Sequence, residues 1–324
     1  MKAILLKEYG LPSVLEVGEV AKPIPNDDEV LMRIHSVSIN DWDWGLVRGK
    51  PFVIRLFFGL KKPKITIPGV DISGKIEAVG GNVSSFNIGD EIYCDLSDCG
   101  FGGFAEYVCV PESHLSKKPS SISHNDAAAL PHAGLLALQG LVEKGEVKTG
   151  QSILINGAGG GVGTLGIQIL KSYDGLTVTG VDSSEKLDLM TSLGYDRVID
   201  YKKVDFTDTG EKYDLILDTK SHRSVFKVAR SLKKNGRYIT AGGSMARLLE
   251  IALLGSLISL FTGKKLSVLI HQPNRGLDQL SLLVEKGQLR PVVDGPNGFD
   301  QIPGLIQYFG EGRHLGKIVV EIEK

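Results

Sequence analysis

Apolar and polar positions alternate in short runs through the first third of the chain. EVLMRIHSVSI, which begins at Glu29, reads as a strand by its alternation and its β-branched content. AILLKEY, VLEVGEV, GVDISGKIEAVG, GDEIYCD and AEYVCV are further short runs punctuated by glycine and proline. Closely spaced strands of this kind predict a compact, barrel-like sheet. Around residue 125 the period changes, and NDAAALPHAGLLALQGLVEKG reads as helix, with Pro131 as an interruption or a new start. The strands SILIN, LTVTGVD, RVIDY, YDLILDT and GRYITAG then alternate with the helices VGTLGIQILKSY, SEKLDLMTSLG and HRSVFKVARSLKKNG. That rhythm predicts a parallel sheet covered by crossover helices. From Lys265 the chain reads β, α, β through LSVLI, LDQLSLLVEKGQLRPVV and GKIVVEIE, and its last strand is expected to pair back with the first sheet. The expected fold is therefore α/β: one domain split over 1–122 and 266–324, and a doubly wound domain over 123–265 inserted between the parts.

The segment from Leu248 to Phe261, LLEIALLGSLISLF, is 14 residues long and contains Glu250. It falls short of the roughly 18 residues a membrane span needs, so no integral span is expected. A buried helix is expected, with a membrane-surface or oligomer contact as the alternatives. The N-terminal apolar run in MKAILLKEYG is too short for a signal peptide.

Composition narrows the function classes. With 42% hydrophobic and 23% charged residues among 324, the chain is neither disordered nor a disulfide miniature. Lys+Arg 37 against Asp+Glu 38 leaves a net charge of -1, without the basic excess that phosphate-backbone binding requires. Nucleic acid is not an expected partner. Cys94, Cys99 and Cys109 are odd in number and widely spaced, which fits reduced thiols and a cytoplasmic location better than a disulfide framework.

The strongest local signal is the strand Ile153-Leu154-Ile155-Asn156 followed by Gly157-Ala158-Gly159-Gly160-Gly161-Val162-Gly163 and an apolar helix. This is the context of a dinucleotide fingerprint in which Ala158 takes the first small position. Gly160 would admit the pyrophosphate, Gly163 would let the helix pack on the sheet, and free N–H groups at the helix start would face phosphate charge. Asp182, 19 residues past Gly163, ends the second strand where an acid is expected to hold the adenosine ribose. No G-K-[ST] follows, which disfavours an ATP-type loop. A carboxylate at Asp182 favours NAD by charge. Ser183, Lys186 and Tyr201 downstream offer hydroxyls and a cation to a 2'-phosphate, so NADP stays open.

The ordered stretches SVSINDWD, PGVDISGKIEAVGGNV, GDEIY, GGFAEY, LPHAGLLALQGL, INGAGGGVG, SLGYDRVIDY, NGRYITAGG and LGKIVV resemble the medium-chain dehydrogenase/reductase superfamily, and most closely its zinc-free quinone oxidoreductase branch. The resemblance runs over essentially the whole chain. It implies a GroES-like catalytic domain, partly rolled into a barrel, and a Rossmann-type cofactor domain. It also implies hydride transfer from NADP or NAD in reduced form, commonly NADPH, to a quinone or an α,β-unsaturated carbonyl, and a homodimer. In zinc-dependent relatives cysteine stands in place of Asn40, histidine in place of Val70 and cysteine in place of Ala133. Neither Val70 nor Ala133 can ligate, and Asn40 is a poor ligand, so no metal is expected.

By the same resemblance Asn40 and Asp43 face the nicotinamide cleft. Asn40 is the leading donor to a developing oxyanion, and Asp43 orients its neighbours. A turn role for NDWD stands beside that reading. His132, in LPHAG, is a candidate acid, with packing as the alternative. Trp42, Trp44, Phe52, Phe57 and Phe58 are candidates for an aromatic wall, set in a basic segment with Arg48, Lys50, Arg55, Lys61, Lys62 and Lys64. Thr219, Ala241 and Gly242 are placed at strand ends beside the nicotinamide. Two departures from the family pattern, Leu136 for threonine and Lys220-Ser221 for a glycine-containing turn, alter the pocket wall. They keep open the alternative of a regulatory or sensor protein that binds the cofactor without turnover; alcohol dehydrogenase-like activity is a separate alternative that would need a metal or a substitute for its role in stabilising an alkoxide.

Overall fold

The computed structural model describes residues 1–322. The N-terminal part runs β1 (Lys2–Leu5), β2 (Glu16–Glu19), β3 (Glu29–Ser38), α1 (Asp41–Arg48), α2 (Val53–Phe58), β4 (Asp71–Val79), β5 (Glu91–Asp95), β6 (Tyr107–Pro111), β7 (Ser116–Lys117) and α3 (His124–Ala128). The middle runs α4 (Pro131–Leu138), β8 (Ser152–Asn156), α5 (Gly161–Leu170), β9 (Thr177–Asp182), α6 (Leu187–Leu193), β10 (Arg197–Asp200), β11 (Tyr213–Asp218), α7 (Val225–Arg230), β12 (Leu232–Thr240), α8 (Met245–Thr262) and β13 (Lys265–Val268). The return comprises α9 (Leu277–Glu285), β14 (Val293–Gly298), α10 (Ile302–Gly310) and β15 (Lys317–Glu321).

Two compact units result. One holds residues 1–132, 273–287 and 291 onward; the other holds 133–272 and 288–290. In the first, β14-β15-β3-β4-β5-β7 lie side by side, with β6 also paired to β3. The strand β15 pairs antiparallel with β3, as its pattern predicts. Register then aligns Val319 with Ser38, Ser38 with Asp71, and Asp71 with Asp95 across four strands. Side chains in register on neighbouring strands share a face, so this line sets a polar row into an otherwise apolar sheet. Met32, Ile34, Ile72, Ile76, Ile92 and Phe104 build the surrounding core, each buried.

The second unit is a six-stranded sheet in the order β10-β9-β8-β11-β12-β13, parallel throughout. The chain runs outward from β8 in one direction and from β11 in the other, so the order reverses between them. Such a switch point leaves a crevice at the carboxyl ends of the strands.

The unit boundaries fall ten residues later at the first cut and seven later at the second than the expected 122/123 and 265/266. The reasons are local. Asn125 of α3 donates to Glu321 of β15 (2.8 Å) and accepts from Ser36 of β3 (2.6 Å), which holds α3 on the barrel-like sheet. The strand in LSVLI pairs in parallel with β12 and so extends the other sheet. Pro131 starts a new helix, where its missing N–H costs nothing.

The apolar segment after Gly243 departs from the buried helix expected. It forms an 18-residue helix, longer than the 14-residue run, and only one side is covered. Ile251, Gly255 and Ile258 pack inward, while Leu249, Leu253, Leu257, Leu260 and Phe261 are exposed, Leu253 at 76% and Leu260 at 79%. A helix apolar all round does not announce which side is covered.

Candidate active site

In the parallel-sheet unit, Asn156, Asp218 and Thr240 are in register, so the ends of β8, β11 and β12 lie level. The segments that follow are 157–163, 219–221 and 241–242, which include every residue expected along the floor of the crevice except Asp182 and its neighbours. Gly157 is at φ +90°, and a Cβ there would lie 2.1 Å from Thr219 Oγ1. A Cβ on Gly163 would lie 2.4 Å from both Cα and O of Ala158, so α5 starts flush against the turn. Gly160 is the N-cap of α5. The N–H groups of Gly161, Val162 and Gly163 precede the first helical hydrogen bond and are the ones a diphosphate would take. Ala158 is fully buried.

Asp182 points into this turn. Its Oδ2 accepts the Gly159 N–H (2.9 Å), and its Oδ1 accepts the Ser183 N–H (2.8 Å) and lies 3.7 Å from Lys186 Nζ. Lys186 is itself buried and crosses Gly159: a Cβ on that glycine would meet its Cβ and Cδ at 2.7 Å. Tyr201 is half exposed and its N–H bonds the Asp182 carbonyl (3.0 Å). Asp182 thus braces the glycine turn, with a cation beside its charge.

Asp218, which the sequence pattern did not mark, ties the other two segments together. Its Oδ1 accepts from Asn156 Nδ2 (2.7 Å) and Lys220 N–H (2.8 Å), and its Oδ2 accepts from the Tyr238 hydroxyl (2.8 Å). Burial pushes the Asp218 carboxyl and the Tyr238 phenol up. The Ser221 N–H bonds the Gly242 carbonyl (3.2 Å) and the Ala241 N–H bonds the Asp218 carbonyl (2.9 Å). The Lys220-Ser221 departure is therefore accommodated by a braced turn.

In the other unit, Asn40, Asp43 and His132 come together around the polar row. Asn40 is the extended N-cap of α1, and its N–H goes to Asp43 Oδ2 (2.9 Å) while Asp43 Oδ1 accepts the Gly69 N–H (2.8 Å). Asp43 is fully buried, and burial pushes its carboxyl up to about 7 against those two hydrogen bonds. Both amide hydrogens of Asn40 are engaged, with Ser38 O (3.3 Å) and Asp71 Oδ2 (3.1 Å), and its Oδ1 accepts from Lys317. This differs from the free donor expected of Asn40: the amide is consumed inside the protein.

His132 Nδ1 lies 3.0 Å from Asp95 Oδ2 and its Nε2 lies 3.2 Å from Asp41 Oδ1. Burial alone would lower this imidazole, but hydrogen bonds and charge from Asp41 and Asp95 outweigh it and raise it to about 10. The two carboxylates favour the imidazolium form of His132. Asp95 is fully buried, whereas the Asp41 side chain is 63% exposed, so one partner is fixed and the other meets water. Asp41, Asp71, Asp95 and Lys317 were not singled out beforehand as site residues. The available signal was a charged residue at an inward position of an apolar strand, as in GVDIS, IYCD and GKIVV.

The aromatic residues divide. Trp42 meets Phe58 edge-on at 6.1 Å and Phe101 at 6.2 Å, with Phe58 and Phe101 5.5 Å apart. Trp44 packs against Gly310 under the Arg48 guanidinium (4.1 Å), and Arg55 stacks on Tyr9 (4.6 Å). Phe52 and Phe57 are exposed. The expected wall reduces to Trp42 and Phe58, joined by Phe101.

Two of the positions compared above with zinc-dependent relatives are engaged otherwise or apolar. Asn40 has its carbonyl oxygen on an ammonium and its nitrogen on a carboxylate, and Val70 is buried and apolar.

Comparisons with known proteins agree with this architecture. The family description "Alcohol dehydrogenase GroES-like domain" matches residues 26–120, and "Zinc-binding dehydrogenase" matches residues 193–320. Over 99% of its length the chain is 33% identical to a 2-methylene-furan-3-one reductase of Solanum lycopersicum and covers 79% of that protein. It is 32% identical, with the same coverages, to a chloroplastic NADPH-dependent alkenal/one oxidoreductase of Arabidopsis thaliana. The structure of the quinone oxidoreductase from Coxiella burnetii superposes with a TM-score of 0.87 at 27% identity, over all of this chain and 99% of that one. With a glycine crevice on a parallel sheet, a GroES-like unit and relatives along its whole length, the chain belongs to the medium-chain dehydrogenase/reductase superfamily, alongside its quinone oxidoreductases and alkenal/one reductases.

Proposed function

We propose that the protein reduces quinones or α,β-unsaturated carbonyls with hydride from NADPH, with no metal ion at the site of hydride transfer. The observation that carries this reading is His132, a buried imidazole ring held between Asp41 (3.2 Å) and Asp95 (3.0 Å) beside the position where zinc-dependent relatives place a cysteine ligand. When bound, the reduced nicotinamide supplies hydride to the β-carbon or to one end of a quinone. Negative charge then develops on the substrate oxygen. The His132 Nε2–H turns from Asp41 to that oxygen, stabilises it, and gives up its proton. Asp95 holds the ring through Nδ1, and the exposed Asp41 returns a proton from water. Asn40 and Asp43 hold the segment that carries Asp41. Trp42, Phe58 and Phe101 supply apolar surface for a flat substrate.

Mixing the protein with NADPH, 1,2-naphthoquinone and an enone, and following loss of the reduced cofactor, tests this directly. Turnover with at least one acceptor is expected. Tight NADPH binding without turnover would replace the enzyme with a sensor, and stoichiometric zinc in the purified protein would displace the metal-free site.

NADPH is preferred over NADH on the placement of Asp182 and Lys186. The carboxylate accepts two backbone N–H groups, and the Lys186 ammonium 3.7 Å from it sets a positive charge beside the turn, which favours a 2'-phosphate over a bare ribose. Lys186→Ala should raise the NADPH KM about tenfold, the loss of one charged contact. The NADH KM should stay within about twofold; an equal rise for both cofactors would reject the assignment.

A second copy of the chain is the proposed cover for α8. Among the described residues β13 is the last strand of its sheet, and α8 sits directly on it, with the Gly255 Cβ position 2.6 Å from Leu266 O. An uncovered edge next to an apolar helix face is a self-complementary surface. Sedimentation equilibrium should read twice the chain mass, and the L253D/L257D variant should read the monomer mass; a monomeric wild type would refute this. The free state of Cys94, Cys99 and Cys109 supports a reducing, cytoplasmic setting.

A further inference from the structure

We infer that Lys317, on the last strand, is a positioning residue for the His132 acid, acting through Asp71 and Asn40. The inference rests on the role proposed for His132 above. Lys317 is buried, and its ammonium reaches Asn40 Oδ1, Asp71 Oδ2 (3.1 Å) and Ile39 O (3.4 Å). An ammonium has three hydrogens and no acceptor, so these three oxygens exhaust it. It is therefore not a donor to substrate. It also fixes the orientation of the Asn40 amide, because only Oδ1 can face an ammonium.

From Lys317 two arms lead to the two sides of His132. One arm runs through Asp71. Its Oδ2 takes the ammonium and the Asn40 amide, and its Oδ1 accepts the backbone N–H of His132 (3.0 Å). The other arm runs through Asn40, whose backbone is fixed by Asp43 and which directly precedes Asp41, the partner of His132 Nε2. The imidazolium is thereby located at its backbone and at its ring from one buried cation. The charge pattern is consistent: Asp43, Asp71 and Asp95 are fully buried, with Lys317 and His132 as the buried cations among them. Removing Lys317 leaves Asp71 without that counter-ion and frees the Asn40 amide to rotate.

Displacement of a catalytic group by about 1 Å costs on the order of a hundredfold in rate. The K317M variant alone is expected to fold poorly, because it strands a buried carboxylate. The informative variant is K317M/D71N, which removes both charges together. It should fold, bind NADPH with a Kd within about twofold of wild type, and turn over enone with kcat lowered about 10- to 100-fold and KM little changed. K317R, which keeps the cation, should recover most of kcat. Wild-type kcat in folded K317M/D71N would overturn the positioning role, as would a K317R variant no better than the double variant. The two readings separate through H132Q. If H132Q keeps wild-type kcat, the acid assignment itself fails. If H132Q is slow while K317M/D71N is not, only the role of Lys317 fails.

Discussion

Replacing Gly163 by alanine should abolish useful cofactor binding while leaving the barrel-like unit folded. The added methyl would sit 2.4 Å from Cα and O and 2.5 Å from C of Ala158, all of them backbone atoms that cannot rotate away. Either α5 lifts off the turn or the 157–163 path opens, and in both cases the N–H groups of Gly161, Val162 and Gly163 lose their common direction. Overpacking of this kind costs about 1–3 kcal/mol in stability. The loss of aligned N–H groups at a helix start removes the main anchor for a diphosphate, and an NADPH Kd weakened at least about a hundredfold, or roughly 2.7 kcal/mol, is expected. Fluorescence titration with NADPH measures it. Gly304 is the control: it lies in α10 with nothing within 4 Å of its Cβ position, so G304A should leave binding unchanged. Near-normal affinity in G163A would mean that the cofactor is held somewhere other than this turn.

His132→Gln should lower kcat for an enone by about 10²–10⁴, the usual contribution of a general acid. It should also destabilise the protein by about 3–5 kcal/mol, because Asp95 is fully buried and loses its cation. The pH dependence carries a definite sign. An imidazole raised from 6.5 to about 10 binds its proton more tightly in the folded state. Its stabilising contribution is therefore complete below pH 6.5 and disappears as pH rises through about 10. Chemical denaturation of wild type and H132Q at stepped pH should show the gap between them shrinking across that window. A gap that stays constant from pH 6.5 to 10 would remove the imidazolium from the account. Asp43 adds a second slope of the same sign at lower pH. Its carboxyl is raised from 3.8 to about 7, so folding favours its protonated form, and that contribution fades as pH climbs from 3.8 to 7.

Much of the glycine crevice was legible in the chain. Asn156, the glycine run and Asp182 are contiguous or nearly so, and their places in the fold follow from local rules about turns and helix starts. The direction of Asp182 was not legible. A carboxylate at the end of a strand can reach out to a ribose or back to the turn, and here the Gly159 and Ser183 N–H groups draw it back. The same limit explains Asn40. Its residue type offers a donor, but the amide was already taken by Lys317, 277 residues away, and by Asp71. Apolar runs posed a third ambiguity: the segment ending at Phe261 has the same composition on both sides, and only the neighbouring β13 shows which side is covered.

The sequence by itself determined the two kinds of sheet and the glycine turn with its helix. Each of these depends on residues close together in the chain, where periodicity and backbone freedom act directly. Only the tertiary structure decided that Ser38, Asp71 and Asp95 stand in one row, that Lys317 closes it, and that His132 is clamped between Asp41 and Asp95. Register across four strands makes neighbours of groups far apart in sequence. Burial then makes their charges depend on one another, and neither effect leaves a local trace along the chain.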